Sequence, residues 1–251
     1  MSSVAPRALA ALAPIGLAEL AALPDLQTRV DRKYLVPDDV ASALLAEHAA
    51  ASAASAVLEV AGLRSLRYES TYLDTEDLAC FRAAAHGRRR RFKARTRAYL
   101  DTGLCLLELK TAGGRGETVK RRAPYPVEGR AWLSDDGRDV LAGWLDGVVP
   151  DLVPTLTTGY RRTTLVDRTT GARVTLDADV RAWTPDGRAA PVCAGVVVET
   201  KSATAAPTAT DRWLWARGRR PLPVSKYCVG LAALTPGLPT NRWHRVLQPA
   251  A

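Results

Sequence analysis

The prediction of the fold starts from one basic segment, Arg88-Arg89-Arg90-Arg91-Phe92-Lys93-Ala94-Arg95-Thr96-Arg97-Ala98-Tyr99. In a β-strand, successive side chains point to opposite faces of the sheet. One face of this segment therefore carries Arg89, Arg91, Lys93, Arg95 and Arg97. Cations at every second position repel one another, so we expect an anion to lie against them. The alternative is a half-exposed strand whose apolar face covers the core and whose basic face lies in water.

The composition bounds the class of protein and of partner. The chain has 251 residues, of which 47% are hydrophobic and 24% are charged, as in ordinary globular domains. The net charge of +9 favours a polyanionic partner, such as nucleic acid, a phosphate-rich ligand or an anionic membrane surface. No apolar run is long enough to predict a transmembrane segment, and the N-terminus does not read as a signal peptide.

The cysteines and histidines argue against several kinds of site. The four cysteines lie in or near apolar runs without a CxxC spacing, so we expect buried free thiols and a reducing cytoplasm. They are Cys80, Cys105, Cys193 and Cys228. The three histidines are far apart, which gives a zinc site or a Ser/His/Asp triad little support.

Seven further strands are predicted around the basic segment. They span residues 26–36, 64–74, 104–110, 117–122, 155–167, 173–183 and 191–201. Helices are expected at residues 15–23, 38–50, 78–85, 130–145 and 207–218. Most strands are joined by hairpins, which indicates antiparallel pairing, and closure into a barrel would remove exposed edges. The predicted fold is α+β, an eight-stranded antiparallel β-barrel with helices packed on its outside.

Most of these strands separate charged from apolar side chains. If the charged faces point inward, they line a polar tunnel, and the apolar helices cover the outside. Arginine and lysine neutralise phosphate oxygens, and carboxylates such as Glu108, Asp177, Asp179 and Glu199 could hold a divalent cation. Phosphoryl transfer needs mainly positioning and charge neutralisation. The pairs Glu108/Lys110 and Glu199/Lys201, each taken alone, fit an ordinary solvated strand pair better than a catalytic site.

An ordered set of short motifs resembles the VTC domain, the polyphosphate-polymerase branch of the triphosphate tunnel metalloenzymes (CYTH-like superfamily). The motifs are RVDRKY at 29–34, RFKARTR at 91–97, LELK at 107–110, VKRR at 119–122, YRRT at 160–163, RVTLD at 173–177, VETK at 198–201 and SKY at 225–227. They cover roughly residues 26–235, between an N-terminal segment at 1–25 that is partly helical and a Pro-rich C-terminal tail at 236–251. The resemblance implies a tunnel that binds triphosphates and moves the terminal phosphate of ATP onto a growing polyphosphate, with a divalent metal such as Mn²⁺ or Mg²⁺.

The site residues follow by position from the resemblance and from the shared charged faces. The catalytic set is Lys33, Arg95, Lys110, Arg162 and Lys226. The phosphate-binding set is Arg29, Lys33, Arg91, Lys93, Arg95, Arg97, Lys110, Lys120, Arg122, Arg162, Arg173, Lys201 and Lys226. The metal ligands implied are Glu199 first, with Glu108 and Asp177 as helpers.

The sequence also departs from the wider superfamily. Tunnel triphosphatases begin with a Glu-x-Glu-x-Lys strand, and the matching positions here are Arg29, Asp31 and Lys33. Loss of the first carboxylate argues against simple triphosphate hydrolysis. The accessory and transmembrane segments of the eukaryotic complex are also missing, so a membrane-protein partner for translocation stays open. Two alternatives remain: a tunnel triphosphatase acting on inorganic triphosphate or nucleotides, and a non-catalytic polyanion-binding module. Nucleic acid is not expected as the partner.

Overall fold

The computed structural model describes residues 4–23, 30–51, 54–112, 118–145 and 149–247. The strands are β1 (Ala13–Ile15), β2 (Val30–Val36), β3 (Ser55–Leu58), β4 (Leu66–Asp74), β5 (Phe92–Tyr99), β6 (Leu104–Ala112), β7 (Thr118–Pro124), β8 (Val153–Asp167), β9 (Arg173–Trp183), β10 (Ala189–Pro191) and β11 (Val196–Ser202). The α-helices are α1 (Val4–Ala11), α2 (Leu17–Ala22), α3 (Asp38–Ala50), α4 (Ala79–Ala85), α5 (Asp135–Trp144), α6 (Ala209–Ala216), α7 (Lys226–Leu234) and α8 (His244–Leu247), and a 3₁₀ turn covers Asn241–Trp243.

Eight strands form one antiparallel ladder in the order β2-β11-β9-β8-β4-β5-β6-β7. The short strands extend it, since β3 pairs with β8, β1 with β3 and β10 with β9. The α+β class and the eight antiparallel strands are therefore confirmed. Across the described part of the chain, no ladder joins β2 to β7, so the two ends of this order are not hydrogen-bonded to each other.

The sheet is nevertheless strongly curled. Lys33 on β2 and Lys110 on β6 stand six strand spacings apart in the order, roughly 29 Å in a flat sheet. Their charges still act on each other, together with those of Glu199 and Lys93. We call the face that carries Lys93 and Lys110 the inner face. Its side chains converge from non-neighbouring strands, as the inward placement of the charged faces predicts.

Apolar side chains on the opposite, outer face pack against helices α3, α5 and α6. Leu44 and Leu45 of α3 and Leu214 of α6 belong to one cluster with outer-face residues of β2, β9 and β11. Leu141 of α5 belongs to a second cluster with Leu107 and other outer-face residues of β5 and β6. These helices lie on the outside of the sheet, as predicted.

Helix α7 lies on the inner face, where the sequence did not predict a helix. Its residues from Tyr227 to Leu231 are all buried, as expected of a helix enclosed by protein on every side. The Tyr227 ring stacks on Tyr72 of β4 with centroids 4.9 Å apart. Gly230 permits close packing, because a Cβ atom there would stand 2.8 Å from the Cβ of Ala182. The helix therefore fills part of the interior with apolar side chains.

The basic strand begins later than the sequence indicates. It starts at Phe92, and Arg88–Arg91 form the connection from α4. Gly87 adopts a φ of +64° just after α4, a left-handed conformation typical of the residue that follows a helix. The amide of Arg88 then bonds to the carbonyl of Ala83 at 2.9 Å. The first four arginines therefore stand outside the ladder.

Residues 236–247 of the predicted Pro-rich tail pack back onto the domain. Trp243 and Val246 are buried in a hydrophobic cluster with Tyr72 and Tyr227, which we call the inner-face cluster. The centre of the Trp243 ring lies 5.7 Å from that of Phe81. The four cysteines are free, as predicted. Among the described helices, none has the length and apolar character that crossing a membrane requires.

Candidate functional site

Three lysines from three strands meet beside the segment that leads into α7. Lys33 donates from Nζ to the carbonyl of Val224 at 3.1 Å, and Lys93 donates to Oγ of Ser225 at 3.0 Å. The charge of Lys110 interacts with both of these lysines. Ser225 also accepts a hydrogen bond from the Cys228 amide at 3.3 Å, which caps α7. The cap of α7 and the three lysines therefore form one structural unit.

Deeper on the inner face, Glu108 organises a second group of cations. Arg95 donates to its Oε2 from Nε at 2.8 Å and from Nη2 at 2.6 Å. Lys120 contacts the other carboxylate oxygen, and Arg97 lies 3.8 Å from Oε2. Burial alone would raise the pKa of Glu108, but the charges of Arg95, Arg97 and Lys120 outweigh it and hold that pKa well below its usual range. Arg95 also donates to the hydroxyl of Tyr72 at 3.0 Å.

Asp177 organises a third group, which includes the first residue of α7. Arg162 on the neighbouring strand binds it with both prongs of the guanidinium, at 2.6 and 2.8 Å, and Lys226 contacts Oδ2. Asp177 is fully buried, which by itself would raise its pKa, but the two cations lower that pKa below its usual range. The same contact raises the pKa of Lys226 against the effect of burial. Lys226 also lies 4.5 Å from the ring centre of Tyr160.

Glu199 interacts electrostatically with cations of the first and the third of these groups. Its Oε2 lies 3.2 Å from Nζ of Lys201 on the same strand. Burial raises the pKa of Glu199, but the charges of Lys201 and Lys33, with those of Arg162 and Lys226, lower it well below its usual range. A single carboxylate thus interacts with cations from both the first and the third group. The inner face behaves electrostatically as one site.

The other predicted phosphate ligands lie in more varied places. Arg29 lies outside the described residues. Arg91 lies just before β5, with Nη1 2.6 Å from the carbonyl of Arg88. Arg122 is exposed on β7, in register with Glu108. Arg173 donates from Nη2 to the carbonyl of Leu20 at 3.4 Å, at the end of the site next to α2. The structure therefore brings most of the predicted cations together and leaves Arg91, Arg122 and Arg173 at the margins.

The predicted metal ligands do not form a shared cage. Glu108, Asp177 and Glu199 each make an ion pair with a separate set of cations. The described ranges contain no group of three or more His, Cys, Asp or Glu side chains that could hold a metal ion. Hard divalent cations take six to eight oxygen ligands, or six for Mg²⁺. These residues by themselves do not fit a protein-built metal site.

The prediction that Asp179 shares a face with Asp177 is wrong. The register of β8 and β9 shifts between Gly159 and Arg161, where Asp179 adopts a φ of +54°. An extra residue in one strand is a β-bulge, and it reverses the alternation of faces beyond it. Asp179 is exposed at the bulge. Val180 thereby joins the inner-face cluster, which an uninterrupted alternation would have placed outside.

Two lysines of the site carry positive charge that the nearby carboxylates do not fully neutralise. Protein surrounds Lys110 on most sides although solvent reaches it, and this desolvation together with the charge of Lys33 lowers the pKa of Lys110 to about 8. Desolvation likewise lowers the pKa of Lys120 to about 8, and the nearby Glu108 only partly opposes it. An anion bound here would favour the charged form of both lysines.

Aromatic residues that the sequence reading did not select support the cations. Tyr68 and Tyr160 stack at 5.3 Å, and the Arg162 guanidinium lies 5.2 Å from the ring centre of Tyr68. Tyr68 and Tyr72 occupy alternate positions of β4 on the inner face, which is the signal that could have found them. Such rings fix the planar guanidinium groups without neutralising them. The arrangement can bind a chain of phosphate groups by preorganised cations.

A family model described as the VTC domain matches residues 28–235. No curated protein matches the chain in sequence. Among solved structures, the chain is similar to a putative adenylyl cyclase from Hippeastrum whose description mentions a dominant triphosphatase activity, with 17% identity, a TM-score of 0.46, and coverage of 86% of this chain and 100% of that one. It is also similar to a conserved hypothetical protein from Pyrococcus furiosus, with 11% identity, a TM-score of 0.41, and coverage of 81% and 91%. At such distances these two likenesses do not bear on the chemistry of the chain.

Proposed function

Because the chain belongs to the VTC domain family, we propose that it is a phosphotransferase that moves the terminal phosphate of ATP onto a growing polyphosphate chain. The observation that carries this proposal is the convergence of cations from β2, β5, β6, β7, β8 and α7 on one inner face. Lys33, Lys93, Lys110, Lys120 and Arg162 represent the five strands, and Lys226 represents the helix.

The proposed chemistry relies on electrostatics. The transferred phosphoryl group spreads negative charge over its outer oxygens, and catalysis consists mainly of positioning and neutralising that charge. Arg95 and Arg162 are suited to this because carboxylates hold their forks in place before any ligand arrives. Lys33, Lys110 and Lys226 would add point charges around the same phosphates.

The family implies a divalent metal, for which Mn²⁺ or Mg²⁺ is the proposed ion. Since the inner-face carboxylates do not fit a cage of their own, we assign no step to the metal. Glu199 remains the proposed first ligand because it has fewer direct partners than Glu108 or Asp177, with one ion-pair contact, to Lys201. The proposed substrates are ATP, triphosphate and polyphosphate, and the free cysteines support a cytoplasmic location.

Incubation of the protein with ATP and Mn²⁺, followed by gel separation of the products, tests this function. We expect long phosphate chains, and we expect Arg95→Ala to abolish them while Arg90→Ala, at an exposed position outside the ladder, leaves them unchanged. Release of inorganic phosphate without chains would assign the protein as a tunnel triphosphatase. Tight binding of polyphosphate without turnover would assign it as a polyanion-binding module.

A further inference from the structure

A cavity of about 220 Å³ lies at one end of the inner face. We call it the mouth cavity, and its polar lining is provided by Arg91, Lys93, Lys110, Thr111, Ser225 and Arg242. By the volume of liquid water, about 30 Å³ per molecule, it has room for several waters or for phosphate with some of its hydration. Lys93 and Lys110 also belong to the cation group of the inner face. The mouth cavity is therefore continuous with the proposed active site.

The charge of this cavity differs from that of the deeper site. There, Glu108 contacts three cations and Asp177 contacts two. Among the described residues that line the mouth cavity, no carboxylate is present. The hydrogen bonds of its side chains go to neutral oxygens: Lys93 to Ser225, and Arg242 to the carbonyl of Ala84 at 3.4 Å. The cavity thus concentrates positive charge with little internal neutralisation, as anion sites do.

Arg242 comes from a part of the chain that the family match does not include. The match ends at residue 235, and Arg242 lies in the 3₁₀ turn that follows it. The next residue, Trp243, is 3% exposed and packs on Phe81, so it anchors the turn. The Arg242 guanidinium also lies against Gly87, where an added Cβ would stand 3.3 Å from Nη1. The tail is therefore held so that Arg242 faces the cavity.

We infer that the mouth cavity is a second phosphate subsite, which binds the part of a polyphosphate chain that extends beyond the phosphates held by the deeper cations. Arg242 is the residue that makes the protein bind long chains more tightly than short ones. This inference rests on the proposed function, because it needs a phosphate chain on the inner face. A short ligand such as tripolyphosphate is held by the cations of the inner face as far as Lys110, and it does not reach Arg91 or Arg242. A long chain continues past Lys93 and Lys110 to Arg91 and Arg242.

The test compares the binding of sodium tripolyphosphate and of long-chain sodium polyphosphate by titration calorimetry at fixed salt. We expect Arg242→Ala to weaken long-chain binding roughly tenfold, the effect of one charge-assisted contact, and to leave tripolyphosphate binding within about twofold. Arg242→Lys should restore most of the loss because it keeps the charge. Arg245→Ala is the matched control: it removes an exposed arginine three residues along that does not line the cavity.

The outcomes separate this inference from the proposed function. If the unaltered protein binds neither ligand, the proposed function fails and the subsite fails with it. If the unaltered protein binds both and Arg242→Ala changes neither affinity, or both equally, or no more than Arg245→Ala, only the subsite is overturned. Should Arg242→Ala lower the melting temperature, Arg242→Gln, which keeps most of the side-chain length without the charge, carries the same test, and equal losses for short and long chains would contradict the subsite.

Discussion

Arg162 and Asp177 face each other across β8 and β9 and form a two-pronged ion pair with N–O distances of 2.6 and 2.8 Å. The bulge at Asp179 lies two residues away, so the pair sits where the strand alternation changes. Lys226 of α7 shares the same carboxylate. Asp177 therefore connects β8, β9 and α7. Its negative charge offsets the cost of burying the two cations, Arg162 and Lys226.

Asp177→Asn is expected to destabilise the protein by about 3–5 kcal/mol, because removal of one partner leaves buried charges unpaired. Urea unfolding followed by circular dichroism measures this change. The matched control is Asp186→Asn, which alters an exposed carboxylate that pairs with an exposed Arg188 and should leave the free energy of unfolding nearly unchanged. Equal, small effects of the two substitutions would show that the Asp177 network is not a stabilising one.

Arg95→Ala is expected to lose tripolyphosphate binding by roughly tenfold or more, since a guanidinium with two fixed prongs contributes about 1.5–3 kcal/mol to an anion contact. Arg90→Ala, which removes an exposed arginine before the strand begins, should leave binding unchanged. Titration calorimetry of both variants against the unaltered protein provides the measurement. Similar affinities for the two variants would mean that the inner face is not the binding face.

These two arginines show what the sequence could and could not predict. The alternation in residues 92–98 gave the inner face of β5 correctly, because that strand runs without a bulge through the ladder. The start of the strand was placed four residues early, since four consecutive arginines do not indicate where a helix-ending glycine turns the chain. A periodicity argument carries no information about where a ladder begins.

The rest of the site depended on contacts that are distant in sequence. The bulge at Asp179 has no glycine or proline in its own strand, and the glycine at the register shift, Gly159, lies on the partner strand β8, so the alternation rule misassigned that carboxylate. The inner position of α7 follows from its burial against strands that are distant in sequence, as in the stack of Tyr227 on Tyr72. The pairing of each carboxylate with cations likewise appears only once the sheet is curled.

Tyr227→Phe is expected to lower stability by about 1–3 kcal/mol while the aromatic stack is kept. The Tyr227 hydroxyl donates to Oδ2 of the buried Asp74, which also accepts the amides of Cys80 and Phe81 at the start of α4. The substitution removes one partner of a buried carboxylate. Thermal unfolding measures the loss. Tyr99→Phe, at a partly exposed position, is the control and should stay within about 0.5 kcal/mol. A Tyr227→Phe protein as stable as the control would contradict a role for this bond in holding α7.

The affinity for tripolyphosphate is expected to fall as the pH rises from 7 to 9. Desolvation and the charges of Lys33 and Lys93 lower the pKa of Lys110 to about 8, against the opposing effect of Glu199 and Asp31. Lys110 therefore loses its proton in this range, and the charged form that attracts phosphate disappears. The Lys110→Arg side chain keeps its charge at all these pH values. Between pH 7 and 9, the factor by which tripolyphosphate affinity falls should therefore be about ten times smaller for this variant than for the unaltered protein.

The titration of Lys110 is expected to change the free energy of unfolding in the opposite direction. Between pH 8 and the ordinary lysine pKa of about 10.4, the unfolded chain holds a proton on Lys110 that the folded chain has released. The unfolded state binds more protons there, so this group makes the free energy of unfolding rise with pH. Calorimetric binding and urea unfolding at pH 7, 8 and 9, each compared with Lys110→Arg, measure the two trends. Because the titration of the ligand itself affects both proteins equally, a pH profile shared by the two would mean that Lys110 does not titrate in this range.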